Sequence, residues 1–344
     1  MSNKFFKLFD TITKDSEEPT FKVHDRVMII DGLNLFLRNF SMINFVNEEG
    51  VHVGGLGGFL KSLGSLIYTI KPTSVYITFD GKGSSTNRKN LIPEYKSGRN
   101  LTRLTNWDIF NNIEEENSAK IDQIVRLIHY LKCLPIKVMS MDKVEADDVI
   151  AYISKTLAAK YNSKVFIVSA DQDYTQLVTN KITAYRPVKK EFYTPDKVIK
   201  EYGIIPENFI IYKTLIGDNS DKLPGVKGLG KGKLLKFFPE LAGQAMEFKD
   251  IVEISKEKYD QHVIYSRVIF GLKDLENQYK VMDLHNPLVD DDEKEIINQL
   301  IESPVEKLKI EPFLRLYNED GLGKTIKNPS FWLRDTFSSL NNFK

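Results

Sequence analysis

Nine carboxylates stand out along this chain: Asp31, Asp80, Glu145, Asp147, Asp148, Asp171, Asp173, Asp218 and Asp221. Asp31, Asp80 and Asp171 each end a short β-branched run, "RVMIID", "SVYITFD" and "KVFIVSAD", with Asp173 two residues further on. Glu145, Asp147 and Asp148 crowd the start of a helical pattern in "VEADDVIAY", and Asp218 and Asp221 stand before "LPGVKGLGKGK". Taken singly, an aspartate after a strand is a turn residue, and acids at a helix start are caps. Pooled at one place, they would repel one another and raise each other's pKa unless cations neutralised them. Hard oxygen donors without His or Cys point to Mg²⁺, with Mn²⁺ as a substitute. Two such ions about 3.5–4 Å apart activate water and stabilise the leaving oxygen in phosphodiester hydrolysis.

The elements that must position these acids alternate. Strand signals at 26–32, 74–81, 135–140 and 164–171 are separated by helical patterns at 56–70, 119–132 and 147–161. The second helical pattern rests on Ile121, Ile124, Val125, Ile128 and Leu131. Such alternation predicts an α/β fold, a mainly parallel sheet with helices on both faces, whose carboxyl edge gathers ligands. The polar insertion at about 82–118 is too long for an ordinary connection and interrupts the alternation. From about residue 206 the strand signal fades and helical patterns dominate. The expected organisation is a polar leader at 1–22, an α/β domain at 23–212, and a helical DNA-binding region with a C-terminal extension at 213–344.

The net charge of +1, from 48 Lys and Arg against 47 Asp and Glu, conceals segregation. Residues 82–103 carry Lys82, Arg88, Lys89, Lys96, Arg99 and Arg103 against only Glu94, and 222–236 carry five lysines and no acid. Local positive potential of this kind suits phosphate backbones. The single cysteine, Cys133, excludes an internal disulfide framework, and no apolar run fits a signal peptide or membrane span, so a cytoplasmic protein without membrane contact is expected. The spacing from Gly225 through Gly230 to Lys231 imitates a nucleotide-cradling P-loop. That motif needs Ser or Thr after the lysine and a buried strand before the loop, and this chain has Gly232 and no such strand. A helix-hairpin-helix element at about 217–238 fits better, its glycines letting backbone amides approach duplex phosphates. Gly225, Lys227, Gly228, Gly230, Lys231 and Lys233 are its expected DNA contacts.

Six ordered blocks, "IDGLNL", "TFDG", "IPEYKSGR", "VEADDVIA", "VSADQDYTQL" and "GDNSDKLPGVKGLG", resemble the 5′-nuclease family. That family comprises flap endonucleases, the 5′–3′ exonuclease domain of bacterial DNA polymerase I and phage 5′ exonucleases of RNase H type. The resemblance implies a PIN-like sheet, the nine acids as ligands of two divalent ions, and the basic insertion as an arch for a single-stranded 5′ end. It implies Lys96 as catalytic cation, Arg88 or Arg99 as a further cation at the phosphate, and a K⁺ ion at the hairpin. Its partners are DNA with a 5′ flap, nick or 5′ end and RNA–DNA hybrids. Tyr95 is a candidate for stacking on a base or for packing. Leu333, Phe337 and Leu340 form a helical stripe that either packs on the core or docks a single-strand-binding protein or sliding clamp. A monomer is expected. The competing readings are a PIN-type endoribonuclease, which has no use for the hairpin, and a non-catalytic DNA-binding protein, which has no need of every acid.

Overall fold

The computed structural model describes residues 22–97, 104–323 and 325–342. The expected leader up to residue 21, Arg99 and Arg103 lie outside them. Six strands, β1 (Arg26–Asp31), β2 (Ser74–Asp80), β3 (Lys137–Met141), β4 (Lys164–Val168), β5 (Ile182–Arg186) and β6 (Glu191–Tyr193), form one sheet in the order β3-β2-β1-β4-β5-β6. All neighbours are parallel except β5 and β6. Val27, Met28, Ile29 and Ile30 of the central strand are fully buried, the continuous apolar run expected of a strand covered on both faces. Met28 and Ile30 face one core cluster, and Val27 and Ile29 the other.

The first face is covered by α1 (Gly32–Met42), α2 (Gly54–Ile70) and α4 (Ile113–Leu131), the second by α5 (Ala146–Lys160). The short helix α3 (Thr86–Leu91) lies in the insertion. Strands β5 and β6 are additions to the sequence reading; "ITAYR" and "EFY" are too short and too near charged turns to give a periodic signal. The face of α4 also differs from its apolar pattern. Ile121 and Val125 are exposed, whereas Gln123, Leu127, Tyr130 and Leu131 turn inward. Polar pairing makes this possible: Gln123 accepts from the Leu56 amide and donates to the His52 carbonyl, while Glu116 pairs with Lys120. The acidic "NIEEEN" becomes ordinary helix chemistry, with Asn112 capping α4 by accepting from the Glu115 amide.

Beyond α6 (Pro195–Tyr202), a separate core is built by α7 (Phe209–Ile216), α8 (Lys231–Phe237), α9 (Phe248–Glu257), α10 (Val263–Phe270) and α11 (Leu272–Met282). The chain then returns. Ile297 and Ile301 of α12 (Asp291–Glu302) join the α5 side of the sheet. Phe313 and Tyr317 of α13 (Ile310–Glu319), with Leu333 and Phe337 of α14 (Pro329–Phe337) and Leu340, join the α1–α2 side. This corrects the expected division: the C-terminal extension completes the α/β domain's core rather than extending the helical region. The Leu333, Phe337 and Leu340 stripe is buried in that core, so it is not a free docking face.

Candidate active site

Five chain segments bring the acids to the carboxyl edge of the sheet. Asp31 ends β1 and begins α1, its Oδ1 accepting from the Asn34 amide as an N-cap while Oδ2 accepts from Ser169 Oγ. Asp80 ends β2 and accepts from the Ala146 amide at 2.8 Å, which ties it to the start of α5 and so to Glu145 and Asp147. After β4, Asp171 receives the Asp173 amide at 2.9 Å, a local turn that sets both carboxylates. Asp173, Asp218 and Asp221 each offer an oxygen within 4.8 Å of the others, although Asp218 and Asp221 come from the loop after α7.

The electrostatics are those of crowded anions. Burial, reinforced by Asp147 and Asp80, pushes Asp31 up to about 7. Burial, then Asp173 and Asp147, raises Asp171 well above the usual carboxylate range. Glu145 is raised by burial, and its Oε1 is buried without a hydrogen-bond partner while Oε2 takes Lys96 Nζ at 2.7 Å. An orphaned buried carboxylate oxygen beside a three-acid cluster is a donor set that fits divalent cations.

One cation is supplied by the chain itself. Lys213 Nζ lies 2.7 Å from Asp173 Oδ1 and also donates to Asp218 Oδ2. Burial works against its charge, but Asp173 and Asp218 outweigh that cost and raise its pKa. Burial alone would raise Asp218 too, yet hydrogen bonds from Lys213 and Ser220 hold it at about 2. The sequence reading passed over Lys213, although a single lysine in the apolar helix "FIIYKTLI" is a signal, because a buried ammonium needs anionic partners.

Three expectations are corrected. Arg88 is 3% exposed, and its guanidinium forks onto both oxygens of Asp148 and donates to the Val281 carbonyl. Asp148 also accepts from the Leu288 amide, so Arg88 is not presented to a phosphate and Asp148 is not presented to an ion. The pair instead locks α3 and α5 to α11. Tyr95 is 4% exposed, packed with Leu223, Val281 and Met282 and donating to Glu145, which excludes base stacking. Lys96, by contrast, remains at the acids, with its amide donating to the Asp221 carbonyl at 3.3 Å.

The region expected to bind duplex is a helix, a glycine-bearing loop and a second helix, α7 to α8. Gly225 requires glycine: its φ is +60° and a Cβ would lie 2.4 Å from the Gly217 nitrogen. Gly228 has φ +85°, the neighbouring Lys227 carbonyl accepts from Arg267, and Gly230 caps α8. Lys227, Lys231 and Lys233 are exposed on this one loop and helix start.

The pattern of the family described as "5'-3' exonuclease, N-terminal resolvase-like domain" matches residues 26–203. The chain belongs to the 5′–3′ exonuclease family. It is 28% identical over 261 residues to a 5′–3′ exonuclease of Aquifex aeolicus, covering 76% of this chain and 82% of that protein. It is 33% identical over 255 residues to DNA polymerase I of Bacillus subtilis, covering 67% of this chain but 27% of the polymerase. The chain thus spans about a quarter of the length of the DNA polymerase I relatives it matches. Its fold is that of the bacteriophage T5 flap endonuclease, solved as a pseudo-enzyme-product complex with DNA and metal ions. The TM-score is 0.60 at 19% identity, covering 90% of this chain and 99% of that one. Within the 5′–3′ exonuclease family's matched span lie Asp31, Asp80, Glu145, Asp147, Asp171, Asp173 and Lys96. Asp218, Asp221 and the hairpin follow it.

Proposed function

We propose that the protein is a structure-specific 5′–3′ exonuclease and flap endonuclease, acting as a monomer near the 5′ end of DNA or RNA–DNA duplexes in primer and flap removal. The observation that carries this reading is the pooled acid set at the sheet edge, with the orphaned Glu145 Oε1 and the Asp173, Asp218 and Asp221 cluster. Asp31, Asp80, Glu145, Asp147 and Asp171 would hold one Mg²⁺, and Asp173, Asp218 and Asp221 a second, with Mn²⁺ able to substitute. Bound there, the two cations supply an activated water and stabilise the leaving oxygen.

The chain's own residues do the rest. Lys96 Nζ, held at Glu145, offsets charge developing on the phosphoryl oxygens. Lys227, Lys231 and Lys233 bind duplex phosphates sequence-independently, beside loop amides and a K⁺ ion at the hairpin. Arg99, outside the described residues, is kept as a further cation for the phosphate. A single-strand-binding protein or clamp, as partner, would use a surface other than the buried C-terminal stripe.

The test is a 5′-flap duplex labelled at both ends, incubated with Mg²⁺ or EDTA. Wild type should release 5′ products only with Mg²⁺. Asp171→Asn and Lys96→Ala should each lower the rate by about 100-fold or more while duplex binding persists. Cutting in EDTA, or full activity in Asp171→Asn, would overturn the proposal.

A further inference from the structure

The insertion has two anchored ends. Its first limb stands at the acids through Lys96 and Glu145. Its second limb, residues 104–110, is fastened at the far end of α1. There Asn106 donates to the Phe40 carbonyl at 2.8 Å, and Glu116 accepts from the amides of Thr105 and Asn106. Phe110 lies parallel to Phe40 at 5.9 Å between ring centres and meets His52 edge-on.

Between Asn106 and Phe110, both buried, Trp107 is 73% exposed. An indole offers a large apolar surface that ordinarily covers itself, and this one is held in solvent by a backbone pinned on both sides. The contrast with Trp332 is direct. That ring meets Phe313 at 6.0 Å and Phe337 at 5.1 Å, against Gly64. Nothing in the core requires Trp107 to be aromatic.

We infer that Trp107 is a stacking platform for an unpaired base of the 5′ strand, and so a positioning residue for substrates with single-stranded 5′ ends. This rests on the nuclease reading of the acid site. The occupant follows from the chemistry of the insertion: although Asp108 adjoins Trp107, the first limb carries Lys82, Lys89 and Lys96, and aromatics combined with basic residues hold single strands without sequence preference. The distance also suits. Phe40 is nine residues along α1 from Asp31, about 14 Å at 1.5 Å per residue, or about four nucleotides at the 3.4 Å spacing of a stacked strand.

Full-length wild type, Trp107→Phe and Trp107→Ala are titrated in EDTA with a blunt duplex and with the same duplex bearing a 5′ single-stranded overhang. Tryptophan emission and the Kd are read in each case. The overhang should quench emission in wild type and leave it unchanged in Trp107→Phe, which keeps only Trp332. Trp107→Ala should bind the overhang duplex roughly 10-fold more weakly and the blunt duplex as wild type does, with Trp107→Phe in between. Overhang binding with unquenched wild-type emission, or equal losses on both duplexes in Trp107→Ala, overturns the inference and leaves the nuclease reading intact. Failure of wild type to bind either DNA overturns that reading, and this inference with it.

Discussion

Lys213 and Lys96 occupy the same acid-rich edge yet are held in different ways. Lys213 sits between Asp173 and Asp218, one of which is raised by burial while the other is held low, so its ammonium balances charge that would otherwise stand uncompensated. Removing one member of such a buried group leaves the others unpaired, at a cost of about 3–5 kcal/mol. Lys213→Met should therefore melt well below wild type in EDTA and recover most of the difference when Mg²⁺ is added, because the freed acids bind the cation in place of the ammonium. Loss of stability that Mg²⁺ does not restore would place the lysine's role elsewhere. Lys96 has φ +55°, a left-handed backbone that costs a residue with a side chain on the order of 1 kcal/mol or more. The hydrogen bond from its amide to the Asp221 carbonyl and its ion pair with Glu145 hold it there, fixing the ammonium at the acids rather than in solvent.

Elements carry the same economy of paired charge. The pair of Arg88 and Asp148 fastens the base of the insertion to the helical region, a structural use of two residues whose sequence context resembles catalysis. At the start of β3, Lys137 is 5% exposed and donates to the Ile301 carbonyl in the last turn of α12 at 2.7 Å. Burial lowers its pKa from the ordinary 10.5 to about 8. The unfolded chain therefore binds one more proton than the folded chain between those values, and stability rises with pH across that window. Below about 8 both states are protonated and the full cost is present. The rise amounts to at most about 3 kcal/mol at 1.36 kcal/mol per pKa unit. Denaturant midpoints at pH 7.5 and 9.5 should differ more in wild type than in Lys137→Met. An equal difference in both proteins would show that Lys137 keeps its proton in the fold.

For the whole molecule, the return of the chain after α11 decides both shape and independence of parts. Phe337 is fully buried against Trp332, in the cluster shared with α2 and α4. Phe337→Ala should cost about 3–5 kcal/mol of stability in chemical denaturation, as for other large buried side chains. Unchanged stability together with lost stimulation by a single-strand-binding protein or clamp would restore the docking reading. Local sequence specifies the alternation of strands and helices, the acids at the strand ends and the loop glycines, because periodicity and turn chemistry encode them directly. It did not determine that Asp148 would face Arg88, that Tyr95 would be covered, that Lys213 would enter the acid cluster, or that Ile121 and Val125 would face solvent. Each depends on segments distant in the chain, such as Val281 against Arg88, and spacing along the sequence carries no record of which partner will neutralise a buried charge.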